Sequence, residues 1–296
     1  MSSMRQDPSH RLGPTGRSRV QTSGESSQQG LEGARWLSVV IPAKNESASL
    51  PQLVQEIAQA LRSLCAEGRM AGFEIVVVDD GSTDETPSVL RRLRADYPEL
   101  RPLTLASNVG QSGATAAGFR AARGEWVATL DADLQNNPAD LALLWDALPG
   151  HEVALGWRTK REDVWSKRVI SRWANRIRNA ALGQSIRDTG CSVRIFPREL
   201  ALRLPMFHGA HRFLGPLLIR EGGRIVQVPV THRPRPHGIS HYNLWNRSLR
   251  VIVDLFGVCW LLRRPIRYQV VAPSEAEHLP SPSPASFAPK GASSEA

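Results

Sequence analysis

Between residues 37 and 155, short apolar runs alternate with segments of helical pattern, and this alternation constrains the fold more than any other feature of the chain. Leu37–Ile41, Phe73–Val78, Leu103–Ala106, Trp126–Leu130 and Val153–Leu155 are β-rich runs of strand length. Helices are predicted over about 47–64, 84–96 and 112–122, and from Pro138, a residue suited to a first helical turn. Strands alternating with helices imply an α/β domain, with a mainly parallel sheet covered on both faces. Ligands of such sheets bind beyond the carboxyl ends of the strands.

The polar motifs stand where the apolar runs stop. The first run ends in Pro42-Ala-Lys-Asn-Glu46, the second in Asp79-Asp-Gly-Ser-Thr-Asp84 and the fourth in Asp131-Ala-Asp133, followed by Leu134 and Gln135. Each has a bland reading: Asp84 as a helix cap, Gly81-Ser82 as a turn, Asp-x-Asp as coincidence. Together they deliver carboxylates to one rim of one sheet. In an extended chain, residues i and i+2 point the same way, so Asp131 and Asp133 are expected to converge on one hard cation, Mg²⁺ or Mn²⁺. Such a cation bridges phosphates and neutralises a departing diphosphate. The segment Asn108-Val-Gly-Gln-Ser-Gly113 is Gly-rich and opens a helix, but it is neither a Walker A loop nor G-x-G-x-x-G.

The net charge of +9 is carried almost wholly by arginine, with lysine only at 44, 160, 167 and 290. That balance favours an anionic partner without choosing among nucleic acid, membrane and phosphorylated substrates. Cys65, Cys191 and Cys259 form neither a disulfide framework nor a metal spacing, in keeping with a reducing cytosol. No apolar signal segment opens the chain. Residues 1–34 and 265–296 are poor in large apolar groups and are expected to be disordered tails around a catalytic domain of residues 35–243 and a helix over 244–264.

Val40-Ile-Pro-Ala-Lys-Asn-Glu46, Val77-Val-Asp-Asp-Gly-Ser-Thr-Asp84 and Leu130-Asp-Ala-Asp-Leu-Gln135 resemble the family-2 glycosyltransferases of GT-A fold. Gly156-Trp-Arg158, Lys167-Arg-Val-Ile-Ser171, Asp188-Thr-Gly190 and Val228-Pro-Val followed by Arg235-x-x-Gly238-x-Ser240 are similar to the dolichol-phosphate mannose synthase and polyprenyl-phosphate glycosyltransferase branch. The resemblance spans about residues 36–262. It implies inverting transfer of a hexose from a GDP- or UDP-sugar to a polyprenyl phosphate, with Mg²⁺ or Mn²⁺. It also implies that Pro42, Lys44, Glu46, Asp80, Asn108, Asp131 and Ala132 meet the nucleotide and that Asp131, Asp133 and Gln135 hold the metal. Arg158, Arg235 and His241 would then face the phosphates, and Lys167 and Ser171 the acceptor phosphate. His241 stands where relatives carry Lys, which weakens that contact at neutral pH because an unperturbed imidazole titrates near about 6.5. A phosphate acceptor is already anionic, so Asp188 has two readings of equal weight: a base or sugar-orienting carboxylate, or an Asx turn before Gly190.

Two segments suggest a membrane surface. Over Val164–Leu182 one helical face gathers Trp165, Val169, Trp173 and Ile177 beside a basic face. Leu249–Leu262 is apolar but interrupted by Asp254 and ended by Arg263-Arg264. It is too short for the roughly 20 residues a membrane span needs, and so reads as interfacial, with Trp245 and Trp260 near headgroup level. Each segment has a plain alternative, a surface helix or a core helix. The expected place is the cytoplasmic face of the cell membrane, bound peripherally. Three rivals stand beside this reading. A processive synthase needs Gln-x-x-Arg-Trp, whereas Gln184-Ser-Ile-Arg187 is followed by Asp188. A soluble transferase acting on a sugar hydroxyl needs a true base. A nucleic-acid scaffold leaves the strand-end carboxylates unexplained, since they repel the phosphate backbone.

Overall fold

The computed structural model describes residues 35–159, 183, 185–234 and 244–264, with side chains of the last helix from Val253 onward. The strands are β1 (Trp36–Ala43), β2 (Gly72–Asp79), β3 (Leu100–Thr104), β4 (Trp126–Thr129), β5 (Val153–Arg158), β6 (Arg194–Pro197) and β7 (Ile225–Val230). The helices are α1 (Leu50–Ala66), α2 (Thr86–Asp96), α3 (Gly110–Ala121), α4 (Asp140–Asp146), α5 (Arg198–Arg203), α6 (Leu214–Arg220) and α7 (Leu244–Leu262), with a 3₁₀ turn at Ala210–Arg212.

The seven strands form one sheet in the order β3-β2-β1-β4-β6-β5-β7. Strands β1 to β4 pair in parallel, β5 pairs with β7 in parallel, and β6 alone runs against its neighbours β4 and β5. The mainly parallel α/β sheet expected from the alternation is therefore present. The first five strands appear where the apolar runs stand, except that β3 begins three residues earlier than its run, and α4 begins at Asp140 rather than Pro138. The antiparallel β6, and α5, α6 and β7 around it, carry no such alternation and were not foreseen.

Side chains leave successive positions of a strand on opposite faces, and the core divides accordingly. Leu37, Val39 and Ile41 of β1, with Ile75 and Val77 of β2, pack under α1, α2 and α4. Val40, Val76 and Val78 face the other way, against Phe119 of α3, Leu217 of α6 and Val258 of α7. Gly118 brings α3 onto the sheet: a Cβ there would overlap the Val40 side chain. At the amino end of the strands, Glu74 is buried but satisfied, accepting from Ser38 Oγ at 2.6 Å, Arg101 Nε at 2.9 Å and the Arg123 N–H at 2.7 Å.

Candidate active site

The loops that leave β1 and β2 clasp one another. The Asn45 N–H donates to Ser82 Oγ at 2.9 Å and the Thr83 N–H donates to Asn45 Oδ1 at 2.8 Å. Asp84 joins the clasp, accepting from the Ser47 N–H at 3.2 Å and the Thr86 N–H at 3.0 Å. Asp80, buried, accepts from the Val109 N–H at 2.7 Å and so ties in the loop after β3. Gly81 lies at φ +65°, with the Asn108 backbone nitrogen 2.8 Å from where a Cβ would be, so only glycine fits that crossing. Lys44 and Asn108 stay exposed, and Glu46 accepts from Ser49 Oγ at 3.0 Å.

The Asp-x-Asp segment departs from the expected geometry. Strand β4 stops at Thr129, and residues 132–133 form a turn rather than extended chain. Leu134 takes φ +60°, a left-handed conformation costly for a leucine, by about 1–3 kcal/mol. The turn brings the Gln135 N–H back to Asp133 Oδ1 at 3.2 Å, and Arg233 holds it by donating its N–H to the Gln135 carbonyl at 2.8 Å. Strand alternation therefore does not set the relation between the two carboxylates; the turn does. Burial first, and the charge of Asp133 second, push the Asp131 carboxyl above its usual range. A carboxyl raised by burial and by a neighbouring carboxylate suits a hard divalent cation. Among the described residues no cluster of three His, Cys, Asp or Glu forms.

A cleft of about 390 Å³ opens at this rim. Pro42, Leu130 and Asp131 line it from the strand ends, Gln111 and Thr115 from α3, and Arg194 from β6. Gln111 Nε2 donates to Asp131 Oδ1 at 2.9 Å, so the Gly-rich segment does reach the carboxylate site. Asp188 and Arg158 meet beside it: Arg158 Nε donates to Asp188 Oδ2 at 2.7 Å and Nη2 to Oδ1 at 3.0 Å, while the Gly190 N–H donates to Oδ1 at 3.1 Å. Ala132 and Asp133, next to Asp131 in the chain, are buried. Arg235, Lys167, Ser171 and His241 lie outside the described residues, as does the whole 164–182 segment.

Several cleft residues escaped the sequence reading. Ser112 Oγ, buried, lies 2.7 Å from His211 Nδ1 and accepts N–H bonds from Gly209 at 3.1 Å and His211 at 3.3 Å. Arg212 lines the cleft and pairs with Asp254 of α7 at 3.6 Å, so the carboxylate that interrupts the apolar stretch faces the domain. Arg194 stands in the apolar run Val193-Arg-Ile-Phe196, and that charge among strand residues was the one available signal.

The strand-end carboxylates, the clasped loops and the mixed sheet are those of a GT-A glycosyltransferase. Residues 38–204 match the Glycosyl transferase family 2 pattern, and the chain belongs to that family. It is 35% identical over 237 residues to a dodecaprenyl-phosphate galacturonate synthase of Rhizobium johnstonii, covering 78% of this chain and 68% of that one. It is equally 35% identical, over 236 residues, to an undecaprenyl-phosphate 4-deoxy-4-formamido-L-arabinose transferase of Edwardsiella ictaluri, covering 79% and 70%. Glucosyl-3-phosphoglycerate synthase of Mycobacterium tuberculosis, solved with Mn²⁺, UDP and phosphoglyceric acid, shares the fold with TM-score 0.57 at 22% identity, over 78% of this chain and 80% of that one. A mannosyltransferase of Pyrobaculum calidifontis, solved with GDP-Man and Mn²⁺, gives TM-score 0.56 at 22% identity, over 78% and 65%.

Proposed function

We propose that this glycosyltransferase moves a hexose from a GDP- or UDP-sugar to a polyprenyl phosphate, with inversion, at the cytoplasmic face of the cell membrane. The observation that carries the reading is the cleft itself, where Asp131 and the arginines Arg194 and Arg212 line one strand-end rim. The two relatives named for polyprenyl-phosphate chemistry support the acceptor. Their sugars differ from each other.

Asp131, Asp133 and Gln135 are the residues that would hold Mg²⁺ or Mn²⁺. Such an ion supplies charge neutralisation for a departing diphosphate. The loops bearing Lys44, Glu46, Asp80 and Asn108 would hold the nucleoside. A phosphate acceptor needs little deprotonation, because its second ionisation falls near pH 6. The protein's task is then to align two anions and offset their repulsion with fixed cations. Asp188 serves in this reading by holding Arg158 in place, both its oxygens being engaged.

A peripheral membrane location draws support from α7. Leu255, Val258 and Cys259 pack on the core, while Val253, Phe256 and Trp260, 63%, 72% and 60% exposed, form an outward apolar stripe. Among the described residues no helix is long and apolar enough to cross a membrane.

One assay tests the proposal: purified protein, Mg²⁺ or Mn²⁺, radiolabelled GDP- and UDP-sugars, and polyprenyl phosphate, read by extraction into organic solvent. Label in the organic phase is expected. Transfer to a soluble sugar acceptor with none to the lipid would favour the hydroxyl-directed alternative instead.

A further inference from the structure

Among the described residues, Arg194 differs from the neighbouring arginines Arg158 and Arg212. It leaves β6 between β4 and β5, is 6% exposed, and lines the cavity beside Asp131, Thr189 and Ser192. Arg158 spends its charge on Asp188 through two hydrogen bonds, and Arg212 faces Asp254. Arg194 has no carboxylate within ion-pair distance among the described residues. Its Nη1 and Nη2 reach only the Ser192 and Thr189 carbonyls, each at 3.5 Å. A guanidinium stays protonated at any physiological pH, so burial leaves a full charge with five N–H donors and two long contacts. Asp131 and Asp188 attract this charge from beyond ion-pair distance, and holding it out of water without a direct ionic contact is costly for the fold. A protein gains from that arrangement when an anion arrives to complete it.

We propose that Arg194 grips a phosphate group in the cleft, its planar fork matching two phosphoryl oxygens. This rests on the glycosyl-transfer reading, and the ligand is either the donor diphosphate or the acceptor phosphate. The cleft geometry suits both, since Arg194 lies at the strand-end carboxylates and also at the 189–192 segment next to Arg158.

The test compares wild type, Arg194→Met and Arg194→Lys. Calorimetry and thermal shift are read with UDP or GDP plus Mn²⁺, with pyrophosphate plus Mn²⁺, and with a soluble short-chain prenyl phosphate. Without ligand, the Met variant should melt close to wild type, because it removes a buried charge that makes no direct ion pair. With ligand, its affinity should fall at least 30-fold, about 2 kcal/mol at roughly 1.4 kcal/mol per tenfold. The Lys variant should lose roughly tenfold, keeping the charge but not the fork. Loss confined to the nucleotide and pyrophosphate arms assigns Arg194 to the donor, and loss confined to prenyl phosphate assigns it to the acceptor. Wild-type affinity for every probe in both variants overturns the proposal. So does a Met variant that fails to fold beside a Lys variant that binds normally, since Arg194 would then be a structural cation. A wild-type protein that binds none of the probes overturns the glycosyl-transfer reading itself, a result separate from either of these.

Discussion

Replacing Asp188 by Asn separates two roles for that residue. Its carboxylate accepts two hydrogen bonds from the Arg158 guanidinium, and the side chains are 12% and 16% exposed. Removing one partner of a buried ion pair costs about 3–5 kcal/mol, because the other charge is left in a poor solvent. The pair keeps some water contact, so the lower end, about 3 kcal/mol, is expected for Asp188→Asn. In a domain of 150–250 residues that corresponds to a fall in Tm of about 6–12 °C. Arg158→Met/Asp188→Asn should recover part of the loss, and the cycle of wild type, Asp188→Asn, Arg158→Met and the double variant should show coupling of about 2 kcal/mol or more. Differential scanning calorimetry with steady-state kinetics on the four proteins measures both quantities. If Asp188 instead removes a proton from the acceptor, Asp188→Asn should leave Tm within a degree or two. It should then cut kcat by about 10²–10⁴, a loss the Arg158 variant would not share. That pattern would refute the ion-pair argument and move weight to a hydroxyl acceptor.

Asp133→Asn should abolish metal-stimulated transfer while leaving the far-ultraviolet circular dichroism intact; a normal Mn²⁺ activation curve would contradict the carboxylate-pair reading. Gly118→Ala should lower stability by about 1–3 kcal/mol in a denaturant titration, because the added methyl meets Val40 in a filled core; an unchanged midpoint would show that α3 can shift. Phe256→Ala with Trp260→Ala should leave Tm nearly unchanged, both side chains being exposed, yet weaken cosedimentation with anionic liposomes several-fold. Equal binding by the variant would place the membrane contact elsewhere. Because surface charge attraction is screened within about 8 Å at physiological ionic strength, binding that survives high salt points to apolar insertion.

The amino-acid sequence by itself determined the α/β class, the strand-end placement of its acidic motifs and the family. Those features are local: a run of Val and Ile, a period of apolar positions and a motif at the end of a run are all read within a few neighbouring residues. The contents of the cleft were decided by tertiary structure. β6 lies between β4 and β5 although it follows both in the chain, and that insertion carries Arg194 to the side of Asp131. Ser112 and His211 are 99 residues apart and meet only because the 3₁₀ turn packs on α3. The alignment of Asp131 and Asp133 seemed legible from strand periodicity, but Leu134 in the left-handed region bends the chain there, held by Arg233 from beyond β7. Long-range pairing also gave Asp188 its partner, since β5 sets Arg158 against the Asx turn before Gly190. A motif shows which groups are at hand; which charge each one faces depends on strand order, and strand order is fixed by packing between segments far apart in the chain.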